Sequence, residues 1–590
     1  MVTYIVQVIK GVGNMPYDGI VANAAVWELS GLLAGGRIEK VYQTERDEIT
    51  LLIHSMGERF RLLASANATY PRLHLTIGKK ENPMNPPPFC MVLRKHLQGG
   101  RVVDITQSGY DRIITLTIVK TDEMGDLVKK HLVVEIMGRH SNIILVNDSK
   151  TIIDSIKHVD ANISSVREVL PLRPYVLPPQ MEKQSPEFID FEKLFNEKPA
   201  QRLDKHLVNC IGGFSPFLAM AICNNAEVDP FKNISHLTDC DKLRLKETIT
   251  ETTNNIKERK YSPAIIHGDK VDFHVLSVAH GERTVLFNTV NLMLDEYYTK
   301  KDIDEKLNAI RANIQKSVNT AIDRNTKKLA IHEETIREAA DYDKYRIYGE
   351  LLFSNIYNLK EGKYAEVLNY YEDPPIHVKI ELDEERSIKN NANRYFNRYK
   401  KLKSSYENAL NLLEEVKNEL FYLENVKTHL ENATDFETLE DIRQELYEGG
   451  YVKFQTKSRT AKKLETKSKP IHVVSEEGYD IYIGRNNKQN EELSLRFASQ
   501  NDLWLHVKDA PGSHVIVRTG AKNGVVTQKV IEEAAAYAAF YSSHRTSTNV
   551  IVDFTRVKHV RKIPKSKPGM VSYTNHKSIV VKPQEASSQS

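Results

Sequence analysis

The chain has 590 residues, 41% of them hydrophobic and 27% charged, with a net charge of +4. A single core rarely grows beyond about 250–300 residues, so several domains are expected. The balance excludes bulk disorder, no run approaches the ~20 apolar residues of a membrane helix, and so mild a charge leaves any nucleic-acid argument to local clusters.

Residues 1–14 hold one lysine and a short apolar stretch, with no positive leader region and no Ala-x-Ala cleavage site, so they make a poor signal peptide. They admit a second reading as non-native. Lys10-Gly11-Val12 is what a purine-rich ribosome-binding site would encode just before Met15, which would start the protein at Met15-Pro16.

From 15 to 180 the pattern predicts a sheet-rich α+β domain. Segments 37–43, 49–54, 59–64, 113–118, 131–136 and 142–146 are rich in β-branched residues with period-two stretches, and 88–97 reads as a helix. The proline-rich run 171–179 reads as an extended linker. Residues 181–290 read as short helices with strands returning at 263–290. Within them Ile211-Gly-Gly-Phe-Ser-Pro predicts a turn, with Ser215 as N-cap and Pro216 at the first helical position. Such a turn can clamp a phosphate backbone or simply connect two helices.

Residues 291–450 predict a coiled-coil arm. Ile303, Leu307, Ile310, Ile314 and Val318 mark one helix. In the other, Tyr395, Tyr399, Leu402, Tyr406, Ala409, Leu413, Val416, Leu420, Leu423, Lys427 and Leu430 recur in alternating four- and three-residue steps. Antiparallel pairing would put 345–385 at the far end, and a bundle inside a globular domain is the other reading. From 451 to 470 Lys453, Lys457, Arg459, Lys462, Lys463, Lys467 and Lys469 face one acid, Glu465, which makes a basic linker. Residues 471–582 predict a β-rich domain with a helix at 530–541, and the end of the chain reads as disordered.

Chemistry-bearing residues are few. Cys90, Cys210, Cys223 and Cys240 form no CxxC pair and have no histidine at a zinc-ligand spacing, so they read as thiols of a reducing cytosol. His506 and His514 lack a clear third metal ligand, and Ser513 lacks a nucleophile-elbow signature. No metal, cofactor or catalytic group is expected. Asp111-Arg112 sets an acceptor beside a five-donor guanidinium, which can read RNA or form a structural ion pair. From Arg556 to Lys582 the lysines and arginines, Lys558, Arg561, Lys562, Lys565, Lys567 and Lys577 among them, meet no Asp or Glu, a second phosphate-directed cluster.

Several motifs carry a resemblance that covers nearly the whole chain. In the last domain these are Tyr482-Ile-Gly-Arg-Asn-Asn-Lys-Gln-Asn-Glu-Glu-Leu, Asp502-Leu-Trp-Leu-His-Val-Lys-Asp-Ala-Pro-Gly-Ser-His-Val and Lys567-Pro-Gly-Met-Val-Ser-Tyr. Nearer the start are Met15-Pro-Tyr-Asp-Gly, the segment 82–97, Tyr110-Asp-Arg, Glu135-Ile-Met-Gly-Arg-His-Ser-Asn and Gly213-Phe-Ser-Pro. Together they resemble the NFACT family of ribosome quality control factors. The resemblance implies a multidomain α+β protein: an NFACT-N domain (15–180), a helix-hairpin-helix domain (181–290), an antiparallel coiled coil (291–450) and an NFACT-R domain (451–584).

It also implies a cytoplasmic factor that binds stalled large (50S) subunits through 23S rRNA and recruits tRNA, expected to be tRNA-Ala, for template-free alanine tailing. The ribosome makes the bond, and a small Hsp15-like RNA-binding protein is a further expected partner. Carried onto this chain, the tRNA contacts fall at Asp18, Asp111, Arg112, Glu135, Arg139, His140, Ser141 and Asn142. Those to rRNA fall at Lys453, Lys457, Arg459, Lys462, Lys463, Arg485, Asn486, His506, His514, Arg556, Lys558, Arg561 and Lys562. Two other classes stay open. The first domain resembles the N-terminal domain of formamidopyrimidine-DNA glycosylases, for which Pro16 would be the nucleophile. A fibronectin-binding surface adhesin is the other, and it would require export and an anchor.

Overall fold

The computed structural model describes residues 17–122, 124–179, 182–268, 270–277, 283–360, 362–453, 468–520 and 525–586. It divides into two compact units, one ending at Ile303 and one starting at Asp304.

The first unit is built on an antiparallel sheet. Among the described residues its strands are β1 (Arg37–Glu45), β2 (Glu48–Ser55), β3 (Glu58–Ser65), β4 (Arg72–Leu75), β5 (Arg101–Gln107), β6 (Ile113–Thr121), β7 (Leu127–Glu135), β8 (Asn142–Asn147) and β9 (Ile152–Ser155). They lie in the order β4-β3-β2-β1-β5-β6-β7-β8-β9, so nearly every strand pairs with its neighbour in the chain. Two helices, α1 (Gly19–Leu33) and α2 (Pro88–Leu97), share the core cluster with inward side chains of the sheet. Pro88 sits at the first position of α2, where a missing N–H costs nothing, and Phe89, Cys90, Leu93 and Leu97 form its buried stripe. The proline-rich segment is no free linker: Arg173 and Tyr175 bond back to Ile152 and Lys150 at the edge of the sheet.

Four helices follow, α3 (Phe191–Asn196), α4 (Leu203–Cys210), α5 (Pro216–Asn225) and α6 (Asp239–Lys257), then a small sheet of β10 (Ala264–His267), β11 (Val271–His274) and β12 (Arg283–Leu286). Ser215 accepts the Leu218 N–H as N-cap of α5, with Pro216 next to it, as the sequence predicts. The long helix α7 (Val290–Ala339) begins here. Glu28 of α1 supplies its cap, accepting the backbone N–H groups of Val290 (2.6 Å) and Asn291 (3.0 Å).

In the second unit α7 continues and is followed by α8 (Tyr342–Ser354), the hairpin β13 (Tyr364–Asn369) and β14 (Ile376–Glu381), α9 (Ile388–Asn432) and α10 (Phe436–Glu448). Leu307, Ile314 and Val318 of α7 pack with Tyr422, Leu423, Val426 and Leu430 of α9. Arg311 reaches the carbonyls of Leu430 (3.1 Å) and Ala433. Tyr342, just beyond α7, meets Tyr399 and Tyr406, so α9 runs antiparallel to α7 and α8. Every position of the predicted seam in α9 is buried or half-buried, while the flanking Leu410 and Leu412 are 39% and 43% exposed. In α7 the predicted stripe fails at its first member, Ile303, which is 43% exposed.

The last domain holds β15 (Ile471–Val474), β16 (Asp480–Ile483), α11 (Asn487–Glu492), β17 (Leu503–Val507), β18 (Val515–Val517), α12 (Gln528–Phe540), β19 (Val550–Arg556), β20 (Val560–Lys562), β21 (Val571–Tyr573) and β22 (Lys577–Val581). Its sheet has the order β15-β16-β18-β17-β19-β22, with β20 and β21 as a separate hairpin. The helix α12 covers one face through Val530, Ala534, Ala535 and Ala538. Trp504 fills the other side at 0% exposure. At the end of the domain the Gln584 N–H bonds the Ala536 carbonyl. Of the tail expected to be disordered, Ala586 is buried and residues 587–590 lie outside the described residues.

A charge on the α9 seam would be buried without a partner. Leu423→Asp is therefore expected to cost about 4 kcal/mol of unfolding free energy, and Leu412→Asp on the exposed face less than ~0.5 kcal/mol. Urea denaturation of the two variants measures the difference; equal losses would remove the seam from the account of stability.

Candidate nucleic-acid interface

In an antiparallel sheet alternate connections fall at the same end. The β5–β6 loop holds Tyr110-Asp-Arg, and the β7–β8 turn holds Met137-Gly-Arg-His-Ser, so motifs separated in sequence become neighbours. The register makes this specific. Ile113 pairs with Glu135, and the Arg112 carbonyl accepts the Ile136 N–H at 2.9 Å.

The first turn of α1 closes on the same loop. A Cβ on Gly19 would sit 2.0 Å from the Tyr110 carbonyl oxygen and 2.5 Å from the Gly213 Cα, so only glycine fits between the loop and the α4–α5 turn. Gly213 itself has φ +80°, the left-handed region that suits glycine. Gln107 completes the join by donating to the carbonyls of Gly19 (2.9 Å) and Asp111 (2.8 Å). Three motifs of the resemblance thus meet at one point.

Asp18 stands inside this junction at 4% exposure. One carboxylate oxygen accepts the N–H groups of Ile20 and Val21, capping α1; the other accepts from Ser215 (2.6 Å) and lies 3.3 Å from His274 Nε2. Burial alone would raise its pKa, but His274, Ser215 and Val21 outweigh burial and hold it below the usual carboxylate range. Its carboxylate is aimed into the protein, not toward solvent as the expected direct tRNA contact requires.

The same correction applies to three residues of the next motif. Glu135 is fully buried, paired with Arg167 and bonded by Tyr175 Oη at 2.9 Å. Ser141 accepts the Met137 N–H, and Asn142 binds the Lys157 backbone, both at 2% exposure or less. These three shape the turn. Asp111 and Arg112 are half-buried at its edge, with Asp111 Oδ1 accepting the Arg112 N–H at 2.7 Å, and Arg139 and His140 are exposed beside them. The candidate contact surface is therefore Asp111, Arg112, Arg139 and His140.

In the last domain the expected surface also divides. Asn486 and His514 are 2% and 3% exposed and lie inside. Asn486 caps α11, and His514 Nδ1 lies 2.7 Å from Ser494 Oγ. A π-helical turn over Leu493–Phe497 follows α11, and Ser494 within it also receives the Trp504 indole N–H at 3.1 Å. His506 is half-buried and stacks on Trp504. Arg485 pairs with Asp435 at the start of α10, so its charge is committed. Arg556 donates to the Asn501 carbonyl and Lys562 pairs with Glu491. Lys453, Lys558, Arg561, Lys565, Lys577 and Lys582 are exposed. The other expected rRNA contacts of the linker, Lys457, Arg459, Lys462 and Lys463, lie outside the described residues, as do residues 1–14 and Pro16. Among the described residues no group of three His, Cys, Asp or Glu side chains is placed to hold a metal, and no helix is long and apolar enough to cross a membrane.

Missed in the sequence were the polar residues that join α9 and α10 to this domain. Asn425 accepts the Gly512 N–H (3.0 Å), His429 meets Asn490 (3.3 Å), and Glu445 accepts from Asn487 (3.0 Å) and Tyr422 (2.8 Å). The only available signal was polar residues next to the heptad seam at 425, 428 and 429, which reads equally well as a solvated face.

Comparisons with known proteins fit this layout. The family model for NFACT N-terminal and middle domains matches residues 18–465, and that for the NFACT protein RNA binding domain matches 469–575. The Rqc2 homolog RqcH of Bacillus subtilis is 34% identical over 579 residues, covering 96% of this chain and 98% of its own. Human ribosome quality control complex subunit NEMF is 23% identical over 58% of this chain and 33% of its own. Among solved structures, the N-terminal part of the fibronectin/fibrinogen-binding protein from Streptococcus suis is 33% identical, covering 48% of this chain and 99% of that one, with a TM-score of 0.42.

Two measurements test the junctions. Gly19→Ala drives a methyl group into backbone and is expected to cost about 3 kcal/mol, whereas Gly31→Ala, with open space around it in the same helix, should gain up to ~1 kcal/mol. Thermal or urea unfolding reads both, and a harmless Gly19→Ala would contradict the close approach.

The second concerns pH. Burial holds the His429 pKa down to about 4, and burial with the nearby His506 holds His514 well below its ordinary value. The unfolded chain takes up these protons near 6.5, the folded chain only at lower pH. Stability is therefore full above about pH 6.5 and falls below it, by up to ~1.4 kcal/mol per pH unit for each histidine. Urea midpoints between pH 7.5 and 5.5 should fall, and His429→Gln should flatten the slope; an unchanged slope would show that His429 is not neutral in the fold.

Proposed function

The chain belongs to the NFACT family, and on that premise we propose that it is a ribosome quality control factor which binds stalled large (50S) subunits carrying peptidyl-tRNA. It recruits alanyl-tRNA for template-free C-terminal alanine tailing, which marks the nascent chain for degradation. The ribosome forms the peptide bond, and the protein contributes binding and orientation rather than catalysis. It works in the cytoplasm, with 23S rRNA, tRNA-Ala and a small Hsp15-like RNA-binding protein as partners. The names of its relatives, Rqc2 homolog RqcH and ribosome quality control complex subunit NEMF, support the role.

The observation that carries the tRNA half is the meeting of Asp111-Arg112 with Arg139 and His140 at one end of the sheet. A guanidinium fork, a second arginine, an imidazole and an acceptor on a rigid turn can read RNA edges, 2′-hydroxyls and phosphates. The exposed Lys558, Arg561, Lys565, Lys577 and Lys582 support the rRNA half. With no acid between 556 and 582, they form a diffuse phosphate-binding surface, in which each cation contributes a fraction of a salt-dependent total. The α4–α5 turn is read as the helix-hairpin-helix element, and α7 with α9 as the coiled-coil arm.

Asp111→Ala with Arg112→Ala is expected to abolish tRNA enrichment and tailing while leaving subunit binding largely intact. A few oriented hydrogen bonds of roughly 1–3 kcal/mol each select the tRNA, so losing two costs about 10²-fold, whereas rRNA docking is spread over many cations. Sequencing the RNA bound to purified stalled subunits, together with detection of tails, measures both. Continued enrichment of one tRNA by the double variant would overturn the assignment; loss of the subunit as well would make the site structural or ribosome-facing.

A further inference from the structure

The chain has two tryptophans, and they are opposites. Trp504 is sealed in the last domain, whereas Trp27 on α1 is 44% exposed. Its indole is not loose. Tyr261 lies beside it, ring centroids 6.3 Å apart at 55°, and the Arg259 guanidinium lies 5.9 Å from the ring centre.

A chain of hydrogen bonds ties this group to the tRNA loop. Tyr261 Oη donates to Asn23 Oδ1 at 2.7 Å, one turn before Trp27 on α1. Asn23 Nδ2 donates to Gln107 Oε1 at 3.0 Å, and Gln107 Nε2 donates to the Asp111 carbonyl at 2.8 Å. The aromatic pair and the Asp111-Arg112 loop are thus set by one polar network.

Arg259 adds a second observation. It follows the end of α6 with φ +56°, a left-handed position that glycine or asparagine ordinarily fills and that disfavours a long side chain. An arginine nevertheless occupies it, exposed and with no carboxylate partner among the described residues. Nearby acids are engaged elsewhere. Glu187 accepts from Tyr110 (2.7 Å), Glu258 pairs with Lys260 (2.5 Å), and Glu28 caps α7.

We propose that Trp27, Tyr261 and Arg259 form a stacking site for an unpaired base of the RNA held at the Asp111-Arg112 loop. The inference rests on the tRNA-recruiting reading of that loop. A partly exposed indole beside a phenol ring can stack a base, and the guanidinium neutralises the phosphate beside it or stacks in turn. A protein partner would call for a broad aliphatic surface, whereas the outward neighbours of Trp27 on α1 are Asn23, Ser30 and Gly31. The site recognises loop rather than duplex, because a paired base offers no free face.

The test uses the full chain with two labelled probes, an RNA stem-loop and the blunt duplex of its stem. Trp27→Ala should weaken stem-loop binding roughly ten- to a hundredfold and leave duplex binding unchanged. Trp27→Phe, which keeps a ring, should stay within a few-fold of the unsubstituted chain. Stem-loop binding should also quench tryptophan emission in the unsubstituted chain, and this quench should vanish in Trp27→Phe. Stem-loop affinity unchanged in Trp27→Ala, or emission unaffected by bound RNA, overturns the stacking site. If Asp111→Ala with Arg112→Ala loses the stem-loop while Trp27→Ala does not, the proposed function stands and this inference falls. If the unsubstituted chain binds neither probe, both fall.

Discussion

Four groups converge on the buried carboxylate of Asp18: the N–H groups of Ile20 and Val21, the Ser215 hydroxyl and the His274 ring. They come from α1, from the cap of α5 and from β11, elements up to 256 residues apart in sequence. A carboxylate taken out of water is costly unless its lone pairs are used. This one can remain ionised only if all these elements are in place, so its satisfaction couples their folding. Gly19 is the steric half of the same constraint, since it lets the α4–α5 turn and the Tyr110 carbonyl approach where any side chain would stand.

From that junction the presentation of the site follows. With α1 pinned, Gln107 is fixed by Gly19 and in turn holds the Asp111 carbonyl, so the loop bearing Asp111-Arg112 is held from behind. The Arg167–Glu135 pair and the Ser141 and Asn142 hydrogen bonds do the same for the turn bearing Arg139 and His140. Buried members of a motif build the mount, and exposed members are left to make contact. This division explains why a motif of eight consecutive residues, 135–142, contributes only two exposed side chains.

The second unit solves a different problem. A heptad seam satisfies one face of α9, yet toward its end the helix is buried on several sides at once, from Tyr422 to Leu430. There Asn425, His429 and the Glu445–Asn487–Tyr422 group meet the last domain. A polar interface of this kind is specific because every partner must be present, and for the same reason its neutral histidines make it sensitive to acid.

The local patterns alone determined much of the chain. Period-two alternation located β1, β2, β3, β6, β7 and β8, the four-three spacing located the α9 seam, and Ser215-Pro216 located the start of α5. Each of these reports on neighbours one turn or one strand pair away, where residue spacing and geometry are locked together. The short strands β4 and β9, and β5 with its irregular burial, were not legible, because their place depends on the partners beside them. The motifs likewise marked which segments matter, Tyr110-Asp-Arg and 135–142 among them. Which residue of a motif faces solvent was a tertiary decision. Asp18, Glu135, Ser141, Asn142, Asn486 and His514 have the polar chemistry of a contact surface, but packing of distant segments encloses them. Trp27 shows the converse. Its neighbours at helical spacing, Asn23, Ser30 and Gly31, already set it on a polar stripe of α1, but that Tyr261 and Arg259, more than two hundred residues on, pack beside its ring was decided by the tertiary structure.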